Sequence, residues 1–245
     1  MQPVIELKNA TIAKTIFGAE AAAIEEVNWQ VSPGSFWVVG GLGNSGKSDL
    51  LLTIAGLAPL LAGEHYLFGQ KLSDLDEDEL IEKRLKVGLV FGEGGRLFSN
   101  LSLLENVALP LAYHQNRALE EVMTSAKEIL QQFTMDSTGS QWPSDSPRHL
   151  RQRTALARAM ALEPELLLID NPFSGLDRAE TLWWVETLER IRSGDKKRTI
   201  IVTTDDFEPW LGPGRSYAVI RNKRWELLEG TPSAPDLEGL LLAKR

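Results

Sequence analysis

The chain has 245 residues, with 34 acidic against 26 basic side chains and no cysteine. The formal charge of −8 disfavours a surface that holds a nucleic-acid backbone, and the absence of thiols excludes disulfide frameworks and cysteine-ligated zinc. The length predicts one large domain or two closely packed lobes.

No segment of the sequence predicts a membrane span. The longest apolar run, at 50–63, is shorter than the about 20 residues that a bilayer helix needs, and Pro59 interrupts it. The N-terminal MQPVIELKNA has neither the basic region nor the apolar stretch of a signal peptide. We therefore expect a cytoplasmic protein that reaches a membrane only through a partner.

The first part of the chain alternates like β structure. Val27, Trp29 and Val31 lie two residues apart, which places them on one face of a strand. The continuous apolar run at 36–39 predicts a strand buried on both faces, as in a parallel sheet. A glycine-rich loop follows, and an apolar-periodic stretch then predicts a helix that runs through Leu57.

The middle of the chain is predicted to be mainly helical. A strand at 87–91 precedes helices at 104–113, 118–133 and 151–162, and a link rich in Ser, Asp and Pro at 136–147 separates the last two helices.

Strands and helices alternate again towards the C-terminus. A predicted helix places Trp184, Leu188 and Ile191 on one face, where we expect core side chains. The remaining predicted elements are strands at 166–169 and 199–202 and a hairpin of 217–220 with 225–228. This alternation, with a helical insertion, predicts an α/β fold with a mainly parallel sheet covered by helices.

The loop at 41–48 matches the phosphate-binding pattern G-x-x-x-x-G-K-[ST], between a predicted buried strand and a helix. Its glycines let backbone N–H groups converge on phosphate oxygens, and the helix N-terminus adds its positive dipole end. Lys47 is expected to reach the β- and γ-phosphates and Ser48 to bind Mg²⁺. The predicted nucleotide-binding residues of the loop are Gly41, Gly43, Asn44, Ser45, Gly46, Lys47 and Ser48.

Asp49, directly after this loop, places a carboxylate beside the phosphate site. Unless it is turned away or paired, it should weaken nucleotide binding by repulsion. The alternative to a nucleotide site, an accidental glycine turn, is disfavoured by a second motif. Four apolar residues at 166–169 end on Asp170, which would hold Mg²⁺ at the carboxyl edge of the sheet.

With these motifs the chain resembles the ATP-binding cassette (ABC) ATPases. LLLIDNPFSGLD is similar to the Walker B motif and D-loop of that family, RQRTALARAM to the helix after its signature motif, and LFSNLSLLENVALPL to the start of its helical domain. The resemblance implies a P-loop NTPase fold. Its RecA-like core with an antiparallel β subdomain would comprise 1–92 and 163–232, followed by a tail at 233–245, and its helical subdomain 93–162.

The resemblance also implies roles for two loops. Phe17 stands where the family places an aromatic residue that stacks on adenine, and a plain core phenylalanine is an equally good interpretation. The D-loop would face a second subunit across a head-to-tail nucleotide sandwich. Its residues are Ser174, Gly175, Leu176 and Asp177.

Several positions depart from the catalytic pattern of the family. Asn171 replaces the glutamate that polarises the attacking water; a neutral amide is a poor proton acceptor, and losing a general base costs about 10²–10⁴ in rate. Thr204 stands at the switch-histidine position. Gly92 replaces the Q-loop glutamine, and Glu93 beside it is the candidate substitute as an oxygen ligand to Mg²⁺ or water.

The signature motif LSGGQ is barely recognisable. Its region holds Ser146, Pro147, Arg148 and His149. An ungapped alignment puts Pro147 at the serine that binds the γ-phosphate of the opposite subunit, and a shift of one residue gives that role to Ser146. Arg148 could supply charge in place of the missing backbone donors.

The resemblance therefore implies the ATP-binding subunit of an ABC transporter, with ATP and Mg²⁺ as cofactors. It would couple dimer closure to a membrane permease at the inner face of the membrane, with weak or absent hydrolysis. Its second subunit would be a copy or a different ABC ATPase, and importer-type and Mla-like lipid-transport ATPases are the subfamilies it resembles. Two alternatives stay open. One is a non-hydrolytic ATP-dependent regulator or scaffold; the other is an active ATPase that uses Glu93, Asn171 and Thr204 as substituted catalytic groups.

Overall fold

The computed structural model describes residues 2–15, 21–92, 95–135, 137–173, 175–230 and 232–233. The strands are β1 Ile5–Ala13, β2 Ala22–Val31, β3 Phe36–Gly41, β4 Leu60–Leu67, β5 Gln70–Lys71, β6 Val87–Val90, β7 Leu166–Asp170, β8 Thr199–Thr204, β9 Ser216–Arg221 and β10 Arg224–Leu228. The helices are α1 Lys47–Ile54, α2 Glu77–Leu85, α3 Leu103–Gln115, α4 Leu119–Gln132, α5 Arg148–Met160 and α6 Arg178–Ser193.

The strands form one sheet in the order β5-β4-β1-β2-β10-β9-β3-β8-β7-β6. The half containing β9, β3, β8, β7 and β6 is parallel, whereas β5, β4, β1 and β2 pair antiparallel. β10 joins the halves, because it pairs antiparallel with β9 and meets β2 at Arg224 and Glu25. The parallel half is the part that positions the phosphate loop.

Both faces of the parallel strands are buried. On β8, Ile200 and Val202 pack with the core under α3–α6, and Ile201 packs with the core that contains α1 side chains. This explains why these strands read as continuous apolar runs and not as alternating ones.

The predicted elements are found in the structure, with some differences. The hairpin of β9 and β10 is confirmed, and Trp184, Leu188 and Ile191 are core residues. α1 ends at Ile54 and does not reach Leu57, because Gly56 adopts a left-handed φ of 69°. The antiparallel half of the sheet matches the antiparallel β subdomain that the family resemblance implies, and it includes β1, which the sequence did not delimit.

The helical layer is fastened to the sheet by a buried amide. Asn106 of α3 is fully buried, and its Nδ2 donates to the backbone oxygens of Phe98, Leu101 and Ser102 at 3.0–3.1 Å. Its Oδ1 accepts from the Phe98 N–H at 2.8 Å and from the Arg158 guanidinium at 3.3 Å. The loop before α3 is therefore tied to both α3 and α5.

The helices have ordinary globular lengths, up to 16 residues in α6. In the described ranges, none of them combines the length and the apolarity needed to cross a bilayer. Apart from Ser233, the predicted C-terminal tail lies outside the described residues.

Candidate functional site

The carboxyl ends of three neighbouring parallel strands meet at one edge of the sheet. Gly40 of β3 pairs with Thr204 of β8, and Asp170 of β7 pairs with Thr203 of β8. Each strand end continues into a predicted site segment. Parallel α/β sheets bind ligands at such an edge.

The loop between β3 and α1 is shaped by its glycines. Gly46 has φ 100°, and a Cβ there would lie only 3.0 Å from Ala23 and Ile24 side-chain atoms, so this position needs glycine. A Cβ at Gly43 would meet no heavy atom of the described residues within 4 Å, so those residues leave that part of the loop open. The N-cap of α1 is Gly46, which has no side chain to cap the helix, as suits a helix end that receives an anion.

Lys47 is folded back over its own loop. Its ammonium donates to the backbone oxygens of Gly41 and Leu42 at 2.5 and 2.9 Å, and the residue is only 7% exposed. Burial lowers the pKa of Lys47, while the charges of Asp205 and Asp170 oppose that decrease. The lysine is thus held on the carbonyls of its own loop, within electrostatic reach of two carboxylates.

Ser48 and Asp170, the two residues expected to hold Mg²⁺, are in direct contact. The Ser48 hydroxyl donates to Asp170 Oδ2 at 2.6 Å, and the Thr203 hydroxyl donates to Asp170 Oδ1 at 2.8 Å. Hydroxyl and carboxylate oxygens are the hard ligands that Mg²⁺ prefers, so the donor set fits this ion. Gly92 lies beside the same carboxylate, since a Cβ there would be 3.8 Å from Asp170 Oδ2.

Asn171 follows Asp170 with a left-handed φ of 40° and donates from Nδ2 to Asp205 Oδ2 at 3.3 Å. Its Oδ1 is buried and has no hydrogen-bond partner among the described residues. Thr204 is fully buried, and its hydroxyl donates to the Asp206 carbonyl at 2.6 Å. The hydroxyl of Thr204 is therefore engaged in its own turn, and the neighbouring Asp205 reaches Asn171.

Asp49 is paired. Its Oδ1 accepts from the Thr15 backbone N–H at 2.9 Å and from the Thr15 hydroxyl at 2.6 Å. Thr15, which follows β1, thus supplies two donors to the Asp49 carboxylate.

The signature-position residues lie at the start of α5. Ser146 is 3% exposed and its hydroxyl donates to the Trp142 carbonyl at 2.8 Å, so it turns into its own loop. Pro147 is the exposed N-cap of α5, and His149 is half-buried in its first turn. The Nε and Nη2 of Arg148 are buried without a hydrogen-bond partner within the described ranges.

Gly175 of the D-loop lies against this helix start. A Cβ on Gly175 would be 3.5 Å from the Arg148 guanidinium carbon. Leu176 donates its N–H to the Phe173 carbonyl, and Asp177 caps α6 by accepting from the Glu180 N–H at 2.9 Å. The predicted site residues Phe17, Glu93 and Ser174 lie outside the described residues.

Comparison with known proteins decides the family. The profile of the ABC transporter family matches residues 24–174, which is more than half of the chain. The chain belongs to the ABC transporter family. Both the family and the P-loop NTPase fold with a helical subdomain are thereby confirmed, and nucleotide binding follows from membership of the ABC ATPases.

Relatives of this ABC protein agree with that assignment. The intermembrane phospholipid transport system ATP-binding protein MlaF of Haemophilus influenzae is 30% identical over 94% of this chain and 84% of its own length. The lipoprotein-releasing system ATP-binding protein LolD of Francisella tularensis is 29% identical over 93% of this chain and 94% of its own.

A solved structure resembles this ABC protein over nearly its whole length. The dimeric ATP-binding cassette MJ0796, determined in a post-hydrolysis state with ADP and phosphate, is 32% identical and superimposes with a TM-score of 0.80. The match covers 92% of this chain and 99% of the other. A relative of the same designation comes from Methanocaldococcus jannaschii.

Sequence reasoning missed three side chains at this edge: Thr15, Thr203 and Asp205. Thr203 holds the Asp170 carboxylate, Thr15 holds Asp49, and Asp205 meets Asn171. A sequence signal existed only for Thr203 and Asp205, because both lie where the predicted strand at 199–202 ends. The family pattern instead assigns the switch-histidine position to Thr204, which lies between them.

Proposed function

We propose that this protein is an ATP-binding subunit that binds Mg²⁺-ATP at the 41–48 loop and couples closure with a second ABC subunit to a membrane permease. In this proposal 93–162 acts as the helical lobe and 1–92 with 163–232 as the nucleotide-binding core. The names of MlaF and LolD support a lipid-type cargo. The protein would then lie at the cytoplasmic face of the membrane, held there by the permease.

The convergence of Lys47, Ser48 and Asp170 carries this proposal. Lys47 would exchange its bonds to loop carbonyls for phosphate oxygens, and Ser48 and Asp170 would open from each other to hold the ion. Held by Ser48 and Asp170, Mg²⁺ would supply positive charge that neutralises the charge developing on the phosphates. Thr203 would keep the Asp170 carboxylate aimed at it.

We propose that the start of α5 contacts the phosphates of the nucleotide that is bound to the opposite subunit. Arg148 has buried guanidinium nitrogens without partners in the described part of the chain, and it lies against Gly175 of the D-loop. A guanidinium at an uncapped helix N-terminus suits a phosphate. These observations support Arg148 in place of the signature glycines, in a homodimer or a heterodimer.

Weak hydrolysis is proposed from the residues at the expected catalytic positions. Asn171 cannot accept a proton, and the Thr204 hydroxyl is bonded within its own turn. Loss of groups that act as one unit is not additive, so we expect one overall decrease in turnover and not a product of separate losses.

The permease is proposed to bind a groove of about 360 Å³ between α2, β6, α3 and α5. Apolar side chains line it, including Ile81 at 43% and Tyr113 at 77% exposure. An exposed aromatic beside an apolar groove is typical of a protein contact. The groove lies between the helical lobe and the edge strand β6. A permease segment bound there would therefore respond to movement of the helical lobe relative to that strand.

Nucleotide binding is tested by thermal unfolding with ATP and Mg²⁺. At a ligand concentration of 100 times Kd, binding stabilises by about 2.7 kcal/mol, or about 5–10 °C for a chain of this size. We expect Lys47→Ala to abolish this shift and the exposed Lys127→Ala to leave it unchanged. A full shift in Lys47→Ala would place the nucleotide elsewhere.

The permease contact is tested by co-purification from native membranes. The wild-type protein should retain an integral membrane protein identified by mass spectrometry, and Tyr113→Ser should lose it. Trp142→Ser removes another exposed aromatic, 47% exposed and outside the groove, and should not. Purification of a soluble partner alone would favour the regulator alternative.

A further inference from the structure

A carboxylate faces Asn171 from the neighbouring strand end. Asp205 is exposed, follows β8 directly, and accepts from Asn171 Nδ2 at 3.3 Å. The amide at 171 and the acid at 205 thus form a pair across the ends of β7 and β8. A site whose chemistry needs a proton acceptor therefore has one within reach of position 171.

Asp205 also lies within electrostatic reach of the phosphate loop. Thr204, the residue before Asp205, pairs with Gly40 of β3, and the next residue, Gly41, accepts from the Lys47 ammonium through its carbonyl oxygen. Asp205 therefore follows a strand end that directly borders the start of the phosphate loop.

Asn171 offers one further group. Its Oδ1 is buried and has no hydrogen-bond partner among the described residues, while its Nδ2 is committed to Asp205. An attacking water has two O–H groups to donate. The free amide oxygen and the carboxylate together supply two acceptors, of which only the carboxylate can take a proton.

We propose that Asp205 is the proton acceptor for ATP hydrolysis at this site and that Asn171 is the positioning residue that orients both the water and the Asp205 carboxylate. The inference rests on the proposed function and accounts for the slow hydrolysis it includes. The water oxygen bonds to the γ-phosphorus as the bond from that phosphorus to the β–γ bridging oxygen breaks. ADP keeps the electron pair, and the water proton passes to Asp205 and then to solvent.

The test compares Asp205→Asn with Asp206→Asn. Asp206 is the adjacent exposed acid, and its carboxylate accepts from the Glu208 N–H at 2.9 Å within the turn. We expect Asp205→Asn to lower the single-turnover rate at least about 100-fold. ATP should bind at least as tightly by calorimetry, because a negative charge near the phosphates is removed. Asp206→Asn should change neither the rate nor Kd.

A second variant moves the carboxylate to the other member of the pair. In Asn171→Glu/Asp205→Asn, the acid returns to the position where ABC ATPases carry glutamate, and the single-turnover rate should rise at least about tenfold over Asp205→Asn. This recovery distinguishes a lost base from a disturbed fold, since a second substitution does not repair a misfolded loop.

Four results would overturn the inference. The first is a wild-type protein that shows no turnover when the enzyme is in excess over ATP, and the second is an Asp205→Asn variant that keeps the wild-type rate. The third is an Asp205→Asn variant that loses ATP binding, and the fourth is a double variant that is no faster than Asp205→Asn. In each case a thermal shift that depends on Lys47 would leave the proposed ATP-binding function standing.

Discussion

At position 49 a single carboxylate sits where a nucleotide would bring several negative charges. The Thr15 backbone N–H and hydroxyl both donate to it, and these bonds turn the charge towards the end of β1. From the sequence, Asp49 is expected to repel a nucleotide unless its carboxylate is turned away or paired. In the structure the carboxylate is paired with Thr15. We therefore expect the hydroxyl of Thr15 to contribute to nucleotide affinity without being part of the loop.

Thr15→Val should weaken ATP binding about tenfold, because a hydrogen bond to a charged group is worth about 1.5 kcal/mol or more and its loss leaves the Asp49 charge less shielded. Isothermal calorimetry with ATP and Mg²⁺ measures this. In an Asp49→Ser background the same Thr15→Val change should have little effect. An equal loss in both backgrounds would show that Asp49 is not involved.

Among the elements, α3 shows how one buried amide joins parts of the chain that are distant in sequence. Asn106 satisfies three backbone carbonyls and one backbone N–H of the loop that precedes its own helix, and it also accepts from Arg158 of α5. Burial lowers the pKa of the Arg158 guanidinium. The helix, the loop and the neighbouring helix therefore depend on each other.

Asn106→Ala should destabilise the fold by about 2–3 kcal/mol, because the backbone groups of the loop and the Arg158 guanidinium each lose a hydrogen bond to the buried amide. Urea unfolding measures this as a lower midpoint with an unchanged slope. Gln131→Ala, an exposed amide on α4, serves as the control and should stay within about 0.5 kcal/mol of wild type. Equal midpoints for the two variants would contradict the role of this network.

For the whole molecule, one buried imidazole links stability to pH. His65 of β4 is opposite Leu7 of β1, is 7% exposed, and has an Nε2 without a hydrogen-bond partner in the described ranges. Burial lowers the pKa of His65 to about 4. The imidazole is therefore neutral in the folded protein through the mildly acidic range.

The unfolded chain binds a proton on this imidazole below about pH 6.5, whereas the folded protein does so only below about 4. Burial of the neutral His65 side chain therefore has no pH-dependent cost above pH 6.5. As the pH falls to 4, proton uptake by the unfolded chain lowers the free energy of unfolding by up to about 3 kcal/mol. Urea unfolding at several pH values should show a smaller loss in His65→Gln than in wild type. The exposed His114→Gln should follow the wild-type curve, and a His65→Gln curve of the same steepness would contradict this.

The sequence by itself determined the phosphate loop, the apolar strand that ends on Asp170, the buried strands and most helices. Each of these features is encoded in a short stretch of sequence. The signal is either a hydrophobic periodicity of two or 3.6 residues or the fixed spacing of the glycines, lysine and hydroxyl residue of the loop. The family likeness rests on the same windows, which is why fold and family were predictable before any contact was known.

Only the tertiary structure decided which side chains meet at the sheet edge. Asn171 and Asp205 are 34 residues apart, as are Thr15 and Asp49, and their contacts follow from strand order and register, which no local pattern records. Whether Asp49 repels a nucleotide, and whether the carboxylate at 205 can serve the site, depends on those distances. Charge and hydrogen bonding act through space, and the fold alone sets that spacing.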